Sequence, residues 1–114
     1  GSRTFSPEPV ASIKVGGGTI WHQVLSFLRH HATLYPHEDY ITVHGQCTSV
    51  GVAGFSAHGG VHFGSWSELY GLGADNIIGV TGVVANGSIV QMSPSSCIID
   101  GVEIIREKER ESER

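Results

Sequence analysis

Gly45-Gln46-Cys47-Thr48-Ser49-Val50-Gly51-Val52-Ala53-Gly54-Phe55, running through Ser56-Ala57 into His58-Gly59-Gly60, decides the reading of this chain. One cysteine heads a stretch with glycines at 51, 54, 59 and 60, directly after the strand-like Tyr40-Ile41-Thr42-Val43-His44. Glycine carries no Cβ and tolerates φ > 0, so a backbone rich in it can approach a ligand closely. A cysteine beside such a surface is either buried filler or a nucleophile aimed at whatever lies on the glycines.

The 114 residues bound the answer to one domain at most. Glycine, at 16 of 114, is about twice its usual share of roughly 7%. The excess falls at 16–18, 45–60 and 64–73 rather than in a low-complexity run, so it reads as loops and close backbone approach. A net charge of −4 lacks the basic patch that a nucleic-acid or membrane-surface protein needs. No apolar run reaches the roughly 18 residues of a membrane span, and no targeting segment is visible, so a soluble chain is expected. Gly1-Ser2-Arg3 lack an initiator methionine, which reads as an expression scar or an internal cut. Cys47 and Cys97 stand 50 residues apart, a spacing that makes no metal-ligand pair and leaves a disulfide undecided.

Ala11–Val15 is a short strand candidate ended by Gly16-Gly17-Gly18. Thr19 then caps a helix near 19–31 whose Ile20, Trp21, Val24, Leu25, Phe27 and Leu28 follow the spacing of one apolar helical face. A triple glycine before a helix resembles a phosphate cradle, but it lacks either named nucleotide fingerprint and reads better as a plain turn. Runs 76–85 and 88–92 are β-rich and flank Asn86-Gly87, the strongest short-range signal for a two-residue hairpin connection. Cys97–Ile105 suits a second hairpin turning at Asp100-Gly101, and residues 106–114 hold only Arg, Glu, Lys and Ser, which suits a solvated helix or a disordered tail.

With Tyr70-Gly71-Leu72-Gly73-Ala74-Asp75-Asn76 downstream, the chain resembles the FAD-binding (PCMH-type) domain of the FAD-linked oxidases, the vanillyl-alcohol oxidase and berberine-bridge-enzyme families. The resemblance runs from about Ile13 to Met92: a strand and glycine turn into a helix (Val15 to His31), a strand, Cys-x-x-Val-Gly-x-x-Gly (Cys47 to Gly54), Gly59-Gly60, the 70–76 motif, and a strand pair. Each piece alone is weak; their order and spacing are specific.

The resemblance implies an α+β fold: a partial FAD-binding subdomain over 11–92, with a mixed sheet, one main helix and a C-terminal β-hairpin, and a divergent charged tail over 93–114. It implies that FAD lies against Cys47, Thr48, Ser49, Val50, Gly51, Gly54, Phe55, His58, Gly59 and Gly60, by backbone contacts. It implies a sulfur bond from Cys47 to flavin C6, or else a small residue packed beneath the ring. Three family features are missing: the upstream Arg-Gly-Gly-His loop, the downstream Asp-Leu-Trp motif where 97–114 stand, and the substrate domain. Residues 61–69 are also slightly longer than the family pattern. The expectation is therefore half of the FAD-binding domain of an oxidoreductase for alcohol-, amine- or sugar-like substrates. By itself it is inactive, it exposes apolar surface that favours self-association, and its catalytic residues are not identified.

Two other readings stand beside this one. One is a truncated, non-catalytic interaction module. The other is a small zinc domain using the histidines: His30, His31 and His37 cluster near a helix end, and His58 and His62 are four apart with His44 near in sequence, but no third ligand is evident. Metal binding is accordingly not expected.

Overall fold

A computed structural model of the chain describes residues 11–104. It divides into two compact units, Gly1–Asn76 and Ile77–Arg114.

The first unit is built on α1, Trp21–Leu34. Trp21 and Val24 are buried and Leu25 and Leu28 half-buried, as the apolar spacing requires, while Phe27 is 54% exposed. The helix begins on Ile20 rather than Thr19, and the Ile20 N–H donates to the side-chain oxygen of Gln23 at 3.0 Å. Thr19 is engaged otherwise: its N–H donates to the Gly16 carbonyl at 3.1 Å and its carbonyl accepts from Val52 N–H at 2.9 Å. Residues 16–19 thus form a turn closed by the Thr19–Gly16 hydrogen bond.

Two short helices follow, α2 at Val52–Ala57 and α3 at Ser65–Tyr70, then a 3-10 turn at Ala74–Asn76. The sequence reading expects one main helix and leaves α2 and α3 unseen. At the other end of α1, His31 Nε2 stands 3.4 Å from Glu38, whose other carboxylate oxygen accepts from the Tyr40 hydroxyl at 3.2 Å. Partial burial and the Glu38 carboxylate hold that hydroxyl above its ordinary pKa.

Neither Ala11–Val15 nor Tyr40–His44 is a strand. Strand character needs a ladder partner, and among the described residues neither segment has one. Tyr40–His44 still contributes Val43, 3% exposed, to the small core beside Trp21 and Val24.

The second unit is a four-stranded sheet in the order β1 (Val80–Val83), β2 (Ile89–Met92), β3 (Cys97–Ile99), β4 (Val102–Ile104). All three pairings are antiparallel, which corrects the expected mixed sheet. Connections this short cannot carry the chain back to a parallel start.

The first hairpin has a three-residue loop, not the expected two-residue connection. Gly87 N–H donates to Val84 O at 2.9 Å and Val84 N–H to Ser88 O at 3.0 Å. Gly87 has φ +89, and it alone of residues 85–87 has positive φ. This is a turn closed by a glycine bulge. Asn86 instead accepts from Ser88 N–H through its side chain at 2.9 Å. The two-residue turn with both φ positive occurs at Asp100 (φ 49) and Gly101 (φ 82). Asp100 also holds β2, because its Oδ1 accepts from Ile89 N–H at 2.8 Å.

Register and the two-residue pleat period place Val80, Val90, Met92, Cys97, Ile99 and Val102 on one face of this sheet. Of these, Val90 is buried at 7%, whereas Val80, Met92, Ile99 and Val102 are 37–63% exposed. The face is apolar and largely uncovered.

Candidate functional site

The Cys47–Gly51 segment is fixed onto the start of α1 by backbone hydrogen bonds. Trp21 N–H donates to Val50 O at 3.1 Å and His22 N–H to Thr48 O at 2.8 Å. Ile20 and Gly51 form an isolated antiparallel bridge. Val50 N–H donates to Cys47 O at 3.1 Å and closes the local turn. Helix amides that ordinarily need a cap are therefore satisfied by this loop. The loop gains a rigid support in return.

On this support the Cys47 side chain is exposed, with Sγ 3.1 Å from Ser49 Oγ. The Ser49 hydroxyl and then the Ser49 backbone N–H hold the Cys47 thiol below its ordinary pKa, against a smaller opposing effect of desolvation. Cys97 is also free.

The glycines of the segment divide by what a Cβ would meet. At Gly54 and Gly59 no heavy atom lies within 4 Å, and at Gly51 the nearest is Thr19 O at 3.9 Å. These positions leave open space over the backbone. Gly60 is different: it is buried, has φ +76, and a Cβ there would lie 2.6 Å from Phe55 Cε1. Gly73 and Gly45 would likewise meet the Phe55 ring, at 2.8 and 3.4 Å. Phe55 packs edge-on against Trp21, ring centroids 5.3 Å apart, so Gly45, Gly60 and Gly73 make its socket. His58 is exposed and its Nδ1 lies 2.7 Å from Gly54 O, which folds it back onto α2.

The Tyr70–Asn76 motif builds the wall of that socket. Gly73 N–H donates to Gly60 O at 2.7 Å and Ala74 N–H to Gly59 O at 2.8 Å. Asp75 Oδ2 accepts from Leu72 N–H at 2.8 Å, while the Asn76 amide donates to the carbonyls of Tyr70 and Leu72 at 2.9 and 2.8 Å. Asp75 and Asn76 thus shape the loop that presents Gly73 to Phe55.

His44 and His62 meet, with ring centroids 4.4 Å apart and His62 Nδ1 3.0 Å from His44 O. His58 is not part of this pair. Among the described residues no three His, Cys, Asp or Glu side chains come together to hold a metal. A cavity of about 260 Å³ opens between α1 and residues 39–44, lined in part by Leu28, Arg29, Tyr40, Thr42 and Trp66. No residue of 47–60 lines it, and it is separate from the glycine surface.

A sequence profile of the FAD binding domain family matches residues 6–93. The chain belongs to that family, as a partial FAD-binding domain of the FAD-linked oxidases. It is 50% identical over 50 residues to a carbohydrate oxidase of Microdochium nivale, a match covering 44% of this chain and 10% of that protein. It is 46% identical over 67 residues to a xylooligosaccharide oxidase of Thermothelomyces thermophilus, covering 58% and 13%. An FAD-linked oxidoreductase of Pyricularia oryzae is 35% identical over 94 residues, covering 82% and 16%. The chain therefore spans between a tenth and a sixth of the length of these relatives. No solved structure matches it. Among the described residues no helix is long and apolar enough to cross a membrane.

Proposed function

We propose that this chain is the flavin-facing part of an oxidoreductase that oxidises a sugar-like alcohol, with FAD attached through Cys47. The single observation that carries the reading is the exposed Cys47 sulfur at the head of a rigidly backed segment whose Gly54 and Gly59 leave the backbone uncovered. These features fit a flat ring lying on main chain, since a Cβ at either glycine would occupy that space. FAD, when bound, supplies two-electron redox chemistry, which the protein orients and tunes.

In this reading Cys47 to Gly51, Gly54, His58 and Gly59 contact the flavin, and Phe55 and Gly60 shape the segment from beneath. Cys47 would hold the flavin ring through its sulfur, with dioxygen as the two-electron acceptor that forming such a bond requires. The sugar-like substrate class is supported by the names of the two carbohydrate-oxidising relatives. Substrate contacts and proton transfer at the substrate belong to the rest of a parent enzyme, and the chain alone is inactive.

The test uses the full-length parent carrying this segment. Holo protein is denatured in acid, digested, and the flavin traced by fluorescence in wild type and Cys47→Ser. Flavin on the Cys47 peptide of wild type supports attachment. Flavin released from an otherwise yellow parent removes the covalent part, and a parent that never takes up FAD removes the reading.

The uncovered apolar sheet face favours a second reading, a non-catalytic interaction module. A colourless parent that forms a stable complex through that face would establish it.

A further inference from the structure

We propose that Asn86 is an acceptor for N-linked glycosylation, taking an oligosaccharide from a lipid-pyrophosphate donor. Asn86-Gly87-Ser88 has an asparagine, a residue other than proline, and a hydroxyl two positions on, the pattern that such transfer requires. The other asparagine of the chain, Asn76, is followed two positions on by Ile78 and fails it. Three residues are a weak signal by themselves; the hairpin that carries them makes it specific.

A glycan is bulky and hydrophilic, so its acceptor must stand clear of packed surface. Residues 85–87, in the loop between β1 and β2, are all exposed, and a Cβ built at Gly87 would meet no heavy atom within 4 Å. Asn86 Oδ1 accepts from Ser88 N–H at 2.9 Å, a contact that fixes which end of the amide is oxygen. Oδ1 is thus committed to the turn, whereas Nδ2 has no hydrogen-bond partner among the described residues. In Asn76 the same nitrogen is held by the carbonyls of Tyr70 and Leu72. The hairpin uses Ser88 only through its backbone, whose carbonyl accepts from Val84 N–H at 3.0 Å. No described residue takes the Ser88 hydroxyl, so the turn accounts for Asn86 and Gly87 but leaves that hydroxyl to a partner outside the chain.

In the transfer, Nδ2 attacks the anomeric carbon of the donor sugar. A C–N bond forms, the bond from that carbon to the pyrophosphate oxygen breaks, and the lipid pyrophosphate leaves. One Nδ2 proton passes to a base of the transferring enzyme, and nothing is oxidised or reduced. An amide nitrogen is a poor nucleophile, because resonance spreads its lone pair onto oxygen. The bond that Oδ1 accepts stabilises the charge collecting there as the proton leaves. This contact spans three residues, so a nascent chain can form it before the sheet exists. Acceptors of this kind belong to surface loops of secreted proteins, and the proposal places the parent on that route.

The experiment uses the full-length parent purified from the organism that makes it. Its peptides are mapped by mass before and after peptide N-glycosidase treatment in heavy-oxygen water, which turns a glycosylated asparagine into labelled aspartate. The expected result is a sugar-bearing peptide over 86–88 that the treatment converts to labelled aspartate at that position. Ser88→Ala, made in the same host, keeps the backbone N–H that holds the turn and should lose the glycan completely. Ser88→Thr should keep it at equal or higher occupancy. An unmodified Asn86 peptide in the parent overturns the proposal, as does a peptide carrying only unlabelled aspartate, the product of deamidation at Asn86-Gly87. A glycan that survives Ser88→Ala overturns it too. The readout is a peptide mass that no flavin enters, so it is independent of the outcome at Cys47.

Discussion

The edge of the Phe55 ring stands 2.6 Å from where Gly60 would carry a Cβ and 2.8 Å from where Gly73 would. Two glycines of the segment's neighbourhood therefore make room for an internal aromatic ring. Gly73→Ala should destabilise the first unit by about 1–3 kcal/mol through overpacking. Gly60→Ala should cost more, since its φ of +76 adds about 1–2 kcal/mol of left-handed strain. Combining each with Phe55→Leu should recover much of the Gly73→Ala loss and less of the Gly60→Ala loss. Urea unfolding of the two double-mutant cycles measures this.

Gly54 is the opposite case. Its Cβ position is empty, and it lies within α2, where glycine is disfavoured by about 0.8–1 kcal/mol against alanine. Gly54→Ala should leave the fold intact or slightly stabilise it. Gly54→Val in the full-length parent should reduce FAD loading at unchanged folded yield, measured as bound flavin per protein. Full loading of Gly54→Val would show that no ligand approaches there.

The Asp75–Leu72 contact predicts a local weakening. Asp75→Ala removes the acceptor for Leu72 N–H and should cost about 0.5–1.5 kcal/mol, the range for a single hydrogen bond. Asn76→Ala loses contacts to two carbonyls and should cost more than Asp75→Ala. Chemical denaturation midpoints of both variants check the order.

Asp100 sits at φ 49 in a turn that demands positive φ. Asp100→Asn should be nearly neutral, because asparagine tolerates that region and keeps a side-chain oxygen for Ile89 N–H. Asp100→Val should lose about 1–3 kcal/mol and broaden the amide spectrum of β3 and β4.

The apolar sheet face predicts association. With Val80, Met92, Ile99 and Val102 exposed together, the isolated chain should sediment as concentration-dependent oligomers. Met92→Lys with Val102→Lys should shift it towards monomer. A monomer at all concentrations in the unaltered chain would refute this expectation.

What the sequence made legible depended on how local the cause was. The apolar period of Trp21 to Leu28 placed α1, and Asp100-Gly101 placed a turn, because both signals act within a few residues. Tyr40–His44 misled: its residues have strand character, but a strand is defined by a partner and none is present among the described residues. Thr19 misled as a cap because its backbone was already engaged by Gly16 and by Val52, 33 positions away. Which glycines of the stretch serve Phe55 was not readable, since that depends on a ring brought in by tertiary packing. Ser49 and its contact with Cys47 are two positions apart and were within reach of sequence reasoning, had the side-chain donor been considered. Residues 105–114, read as the turn's last isoleucine and a charged tail, lie outside the described residues.

The first amides of α1 carry a consequence for hydrogen exchange. Those at a helix start are normally the fastest to exchange, as the end frays. Here Trp21 and His22 give their protons to the carbonyls of Val50 and Thr48, so deuterium can enter only when the 48–50 loop lifts away. Their exchange should therefore keep time with that of Val50, whose own proton is held by Cys47. The start of the helix and the loop that carries the thiol would open as one event, and the protection of two tryptophan-side amides would report the mobility of a sulfur 26 residues away in the chain.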